Sequence, residues 1–132
     1  NPTGQQQTEC CLRTLKDAGL DADEVDYVSA HGTGTPLNDQ IELQTVKGLF
    51  KNAKMSSLKG FIGHTLGSSA LTELGLLFEM LKKKRLIVSE GLGESMDEQV
   101  IPQKSLELKV NFLVKNAFGF GGNNCSLVLG KL

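Results

Sequence analysis

The hydrophobic positions of this chain change period several times, and each change marks an element. Cys11, Leu12, Leu15 and Ala18 recur at helical spacing, with Gly19 placed as a C-cap. Residues 25–30 form a short apolar, partly β-branched run, which reads as a buried strand. Asn38 or Asp39 can cap a second helix whose apolar face is Ile41, Leu43, Val46, Leu49 and Phe50. Residues 54–57 are a second short strand, and residues 59–64 a turn. The strongest helical pattern covers 66–81, where small residues (Gly67, Ser68, Ser69, Ala70) precede large ones (Leu74, Leu77, Met80, Leu81). Gly75 in that helix costs roughly 1 kcal/mol against alanine, so tight packing is expected around it. Residues 89–103 read as an irregular acidic surface loop. Leu106, Leu108, Val110, Phe112 and Val114 alternate as a half-buried strand does. A glycine turn at 119–122 then leads to a last strand at 125–129, closing a hairpin. The order is α-β-α-β-α-β-β, which predicts an α/β fold with helices packed on a mixed sheet.

Composition narrows the function classes. A length of 132 residues suits one domain with a real core. The net charge of −1 gives no global attraction for nucleic acid. No apolar run reaches membrane-spanning length and no secretory signal opens the chain, so a cytoplasmic setting is expected. Three cysteines without C-x-x-C spacing indicate neither a disulfide framework nor zinc. The glycine stretches match neither G-x-G-x-x-G nor the P-loop, so no nucleotide cofactor is indicated.

The two histidines of the chain are where chemistry concentrates. His31 follows the first strand directly, in Ala30-His31-Gly32-Thr33-Gly34-Thr35-Pro36, at the carboxyl end where open α/β sheets place their sites. His64 precedes the long helix, whose N-terminus disfavours an imidazolium, so a neutral ring able to donate N–H is expected. Two neutral imidazoles meeting at one point suit a developing oxyanion or enolate. Lys59 stands five residues before His64 and can order that network. Phe120, between glycines, offers an unencumbered backbone N–H as an oxyanion donor. The plainer readings are a structural histidine beside a strand, a hairpin-turn phenylalanine, and cysteines that only pack. A metal role for His31 and His64 fails for want of further ligands.

Three motifs share one resemblance. Residues 30–39, the Ala30-His31-Gly32-Thr33-Gly34-Thr35-Pro36 stretch with Leu37-Asn38-Asp39, resemble the first histidine motif of β-ketoacyl synthases, condensing enzymes of the thiolase fold. Ser56-Ser57-Leu58-Lys59-Gly60-Phe61-Ile62-Gly63-His64 resembles their lysine–second-histidine motif. Asn116-Ala117-Phe118-Gly119-Phe120-Gly121-Gly122-Asn123-Asn124 resembles their C-terminal glycine hairpin. The resemblance implies a thiolase-like half, spanning 1–132, in which His31 and His64 bond the extender's thioester carbonyl and stabilise its enolate. It implies that Lys59 organises His64, that the Phe120 N–H completes an oxyanion hole while its ring gates the acyl pocket, and that Thr33, Thr35, Gly119, Gly121 and Gly122 shape the supporting loops. The implied partners are acyl carrier protein bearing acyl and malonyl thioesters, an N-terminal ketosynthase half, and a second copy in a homodimer of the full-length protein. No cofactor is implied. The family's Ala-Cys-Ser nucleophile turn has no counterpart here, Gly60 stands where serine is common, and the chain resembles only the second half of the fold. The alternative is a non-catalytic ketosynthase-like subunit for assembly or carrier-protein docking.

Overall fold

The computed structural model describes residues 3–91, 97, 99–107 and 109–130. Helix α1 (Gln5–Ala18) stops at Gly19, whose φ of 67° is left-handed, and Leu20 N–H returns to the Leu15 carbonyl at 3.0 Å. It buries Cys11 and Leu15, whereas Leu12 is left exposed. Strand β1 (Tyr27–Ser29) is shorter than the apolar run suggested. Helix α2 (Pro36–Leu49) starts earlier than expected, because Pro36 takes the first helical position behind Thr35 and presets the required φ. Its buried positions are Glu42, Thr45 and Val46, so a carboxylate occupies the centre of the packed face.

Strand β2 (Lys54–Ser56) leads into a single helical turn, α3 (Lys59–Ile62), where the sequence suggested an irregular turn. A 3₁₀ turn over Leu66–Ser68 then precedes α4 (Ser69–Lys83), so the long helix begins three residues later than its hydrophobic pattern. Gly75 makes no close approach to anything, contrary to the tight packing expected of it. The face of α4 that carries Gly75 also carries exposed Leu71 and Phe78.

Strands β3 (Phe112–Phe118) and β4 (Asn124–Gly130) form the expected antiparallel hairpin. Sheet order is β2-β1-β3-β4, with β1 parallel to both β2 and β3, hence mixed. The alternation at 106–110 does not become strand. Leu86 N–H bonds the Leu106 carbonyl at 2.9 Å, and Arg85 bridges Glu107, so this segment is held by the chain leaving α4; Leu108 lies outside the described residues. Part of the predicted surface loop is core: Ile101 is buried, and Met55 N–H bonds the Val100 carbonyl at 2.8 Å.

The sheet has a helical layer on each side. Val28 and Val114 face α1 and α2 with Cys11, Leu15 and Val46. Tyr27 and Leu113 face α4 with Leu77 and Met80. Strand β3 is therefore covered on both faces, which is why Leu113, Val114, Lys115 and Asn116 are all buried without alternation.

Candidate active site

The site lies at the carboxyl ends of β1 and β2. His31 leaves β1 just past Ala30, whose N–H bonds the Ser56 carbonyl at 2.9 Å. The next two N–H groups, of His31 and Gly32, donate to the two oxygens of Glu42 at 2.8 and 2.9 Å. A buried carboxylate on α2 thus takes up the donors that the strand leaves over. Burial pushes the Glu42 carboxyl upward, while the Gly32 and His31 N–H groups and Lys115 oppose that shift. Gly32 adopts a φ of 45°, and a Cβ there would stand 2.4 Å from Ser57 Cβ and Oγ. This close approach lets Ser57 Oγ donate to the Gly32 carbonyl at 2.8 Å.

Lys59 is the hub. Its buried Nζ donates to the His31 carbonyl at 2.6 Å and to Glu73 Oε1 at 2.7 Å. Glu73, wholly buried on α4, also receives Ser69 Oγ at 2.7 Å and pairs with Lys115 Nζ at 2.6 Å through Oε2. Burial works against its ionisation, but the bonds from Lys115 and Lys59 outweigh burial and hold it below the usual carboxylate range.

The two imidazoles meet edge to face, with centroids 5.7 Å apart and planes at 84°. Burial, reinforced by the charges of Lys59 and Lys115, pushes the His31 imidazole down to about 4, so it is neutral at physiological pH. The Leu66 N–H donates to His64 Nδ1 at 3.1 Å. That bond needs an unprotonated Nδ1, so a neutral His64 carries its hydrogen on Nε2 and presents a donor. The structure thus orients His64 through one backbone bond rather than through the end of α4, which begins at Ser69. Leu66 has a φ of 53°, unusual for a non-glycine residue, at the position that aims this N–H.

Of the remaining predicted residues, Thr33 lines the same cleft as Lys59 and His64, whereas Gly122 lines a separate groove beside α1. Thr33 and Thr35 share a hydroxyl contact of 3.0 Å at the mouth of α2. A cleft of about 350 Å³ runs past Gly32, Thr33, Lys59 and His64. Phe120 opens a 3₁₀ turn over Phe120–Gly122 at the hairpin tip, closed by the Gly119 N–H on the Asn123 carbonyl at 2.9 Å. Gly121 and Gly122 take φ values of 79° and 83° there. The ring of Phe120 lies outside the described side chains. The aromatic ring beside His31 is that of Phe118, 6.1 Å between centroids and buried. Among the described residues no group of three or more His, Cys, Asp or Glu is placed to hold a metal. Burial pushes the Cys11 thiol up to about 11, and Cys10 and Cys125 line a separate groove between α1 and β4.

Residues 1–90 match the family model for the β-ketoacyl synthase C-terminal domain. The chain belongs to the β-ketoacyl synthase family. It is 32% identical to 3-oxoacyl-[acyl-carrier-protein] synthase 2 of Coxiella burnetii over all of this chain and 34% of that protein. It is 34% identical to 3-oxoacyl-[acyl-carrier-protein] synthase 1 of Buchnera aphidicola over 98% of this chain and 33% of the relative. Among solved structures, a β-ketoacyl synthase from Burkholderia phymatum superposes with a TM-score of 0.91 at 32% identity, over 99% of this chain and 33% of that one. A ketosynthase in complex with its chain length factor from Xenorhabdus doucetiae gives 0.90 at 33%, over 100% and 35%. The fold is accordingly thiolase-like, and the chain spans about a third of the length of these ketosynthases.

Glu42, Glu73, Lys115 and Phe118 were not legible as members of this cluster. Glu73 carried a signal, since it stands four residues before Leu77 on the same helical stripe, a carboxylate among core positions. Lys115 carried a similar one, two residues beyond Leu113 on one strand face.

Proposed function

We propose that this chain is the C-terminal part of a β-ketoacyl synthase, an acyltransferase that condenses an acyl thioester with malonyl-acyl carrier protein by decarboxylative Claisen chemistry in fatty-acid or polyketide synthesis. The observation that carries the reading is the edge-to-face pair of His31 and His64 above Lys59. Loss of carbon dioxide from a malonyl thioester leaves an enolate whose negative charge settles on the thioester oxygen. Two N–H donors converging on that oxygen stabilise the charge where it develops, without reorganising. His31, neutral at physiological pH, and His64, with Nδ1 occupied by the Leu66 N–H, are suited to donate. Lys59 holds the His31 carbonyl, Thr33 and Thr35 border the cleft for the extender, and the Phe120 N–H joins the oxyanion site at the hairpin tip.

The names of the curated relatives, which act with acyl carrier protein, support that partner here. Cys10 and Cys125 line the groove between α1 and β4 and the Cys11 thiol contacts Asn116 and Ser126, so in this reading the nucleophile comes from an N-terminal half, and the full-length protein pairs with a second copy. The isolated chain is then inactive. The test is carbon dioxide release from malonyl-acyl carrier protein, and acyl transfer, by the isolated chain and by the full-length protein. Both activities in the full-length protein and neither in the isolated chain support the reading. A full-length protein without decarboxylation would make the chain part of a non-catalytic ketosynthase-like subunit.

A further inference from the structure

Lys115 holds no role in the condensation chemistry proposed above, yet it is one of the most deeply placed cations of the fold. Its side chain is 3% exposed, in the middle of a strand covered on both faces. A lysine is rarely kept there unless its charge is used, because taking an ammonium out of water costs several kcal/mol. Two of its contacts lead to the histidine site, and the third is to the neighbouring backbone. Nζ pairs with Glu73 Oε2 at 2.6 Å, reaches the Asn116 carbonyl at 2.7 Å, and lies 3.5 Å from the carbonyl of Ala30, the residue before His31. Glu73 therefore carries two ammonium groups, one on each oxygen, although one would neutralise it.

We propose that Lys115 is a positioning residue for this site, a second buried ammonium on Glu73 that ties β3 to α4 beneath His31 and keeps a positive charge behind its imidazole. The inference rests on the reading of His31 as a neutral hydrogen-bond donor. The charged and titratable groups around that ring are Lys59 from α3, Lys115 from β3, Glu73 from α4, His64 from the loop after α3, and Glu42 from α2 beneath its backbone N–H. Glu73 alone balances one lysine, so a single lysine on it would leave no surplus positive charge from that pair. With two, the pair disfavours a proton on His31 by direct repulsion. Burial lowers the Lys115 ammonium itself, and Glu73 counters that.

The test is the titration of the His31 ring by NMR in the protein and in Lys115→Met and Lys115→Arg variants. Lys115→Met raises the His31 midpoint by about one pH unit, whereas Lys115→Arg, which keeps the charge, holds it low. A rise of less than about half a unit in a folded Lys115→Met variant, or an equal rise in both variants, overturns the proposal. A merely structural lysine would lower stability without moving the midpoint. Should the Met variant not fold, lysine 15N signals of the unaltered protein decide. A protected ammonium at Lys115 near neutral pH supports the proposal, and a neutral amine overturns it. In the full-length synthase the acidic limb of malonyl-thioester decarboxylation moves up with the NMR midpoint. Absence of that activity would defeat the functional reading while leaving the titration informative about Lys115.

Discussion

His31 and His64 stand edge to face, ring centres 5.7 Å apart, although 33 positions separate them in the chain. They come together because β1 and β2 are parallel neighbours and each releases its loop at the same end of the sheet. Replacing either ring by alanine in the full-length protein should lower decarboxylation of a malonyl thioester by about 10²–10³-fold, the usual cost of one oxyanion donor. Transfer of an acyl group onto the nucleophile should fall much less. Carbon dioxide release under saturating substrate measures the first effect. A loss under fivefold in both variants would remove the histidines from the chemistry.

The Lys59–Glu73 pair should dominate the local stability. Both side chains are nearly inaccessible, so removing one partner strands the other charge in the interior. Glu73→Ala leaves two unpaired ammonium groups and should cost more than Lys59→Met, which leaves Glu73 with Lys115. Losses of about 3–5 kcal/mol for each, read from urea unfolding, are expected. If Glu73→Ala proved the milder of the two, the two-lysine arrangement would be wrong.

Acid should weaken the fold through His31. The ring titrates at about 4 in the folded protein, against about 6.5 for an ordinary histidine. The unfolded chain therefore binds this proton first. Stability from this source is intact above pH 6.5 and declines as pH falls toward 4, by less than the roughly 3 kcal/mol of the full shift because solvent screens the half-buried ring. Glu73, held below its ordinary range, adds a loss at lower pH. In His31→Gln the decline between pH 6.5 and 4 should flatten, which unfolding measured at several pH values will show.

Two glycines carry geometric demands of the site. Gly32→Ala forces a Cβ to within 2.4 Å of Ser57 and a side chain into a φ of 45°, and should cost about 3 kcal/mol or more. Gly60→Ser places a Cβ 2.6 Å from the Glu90 carbonyl oxygen. The backbone near 90 must then move, disturbing the 2.8 Å bond from the Ser57 N–H to Ser89 Oγ. A loss of about 1–3 kcal/mol is expected in thermal unfolding. A neutral Gly60→Ser would mean that the 89–91 segment yields freely.

The legibility of the chain followed the range of the forces involved. Helix α1 was readable because its apolar spacing and Gly19 are local signals. The hairpin was readable for the same reason, from Gly119 to Gly122 between two apolar runs. Strand β3 was misplaced because alternation at 106–110 reflects half-burial without a ladder, whereas the true strand is buried on both sides and has no period. The histidines and Lys59 stood out as candidates from their glycine setting, and the structure brings them together. Their supports were harder to read: Glu42 looks like an ordinary surface charge until the fold places it at 1% exposure, and Lys115 hints at burial only through its place on the Leu113 face of the strand.

The outer face of α4 sets the behaviour of the chain by itself. Leu71 and Phe78 are 74% and 50% exposed, Leu66 is 77% exposed one turn before the helix, and Gly75 lies between the first two with nothing against it. Apolar residues at i, i+4 and i+7 make one continuous stripe on a helix whose opposite side is already packed on Tyr27 and Leu113. Contiguous apolar surface of this kind drives association in water. The 132-residue chain alone should therefore self-associate at micromolar concentration, and Leu71→Glu with Phe78→Glu should shift it toward monomer in sedimentation. In the full-length protein the same pair should be damaging, as expected of a face on which the N-terminal half is proposed to pack. A chain that is monodisperse with its native stripe would show that this surface is wetted without cost, and the expected packing of the two halves across α4 would fall with it.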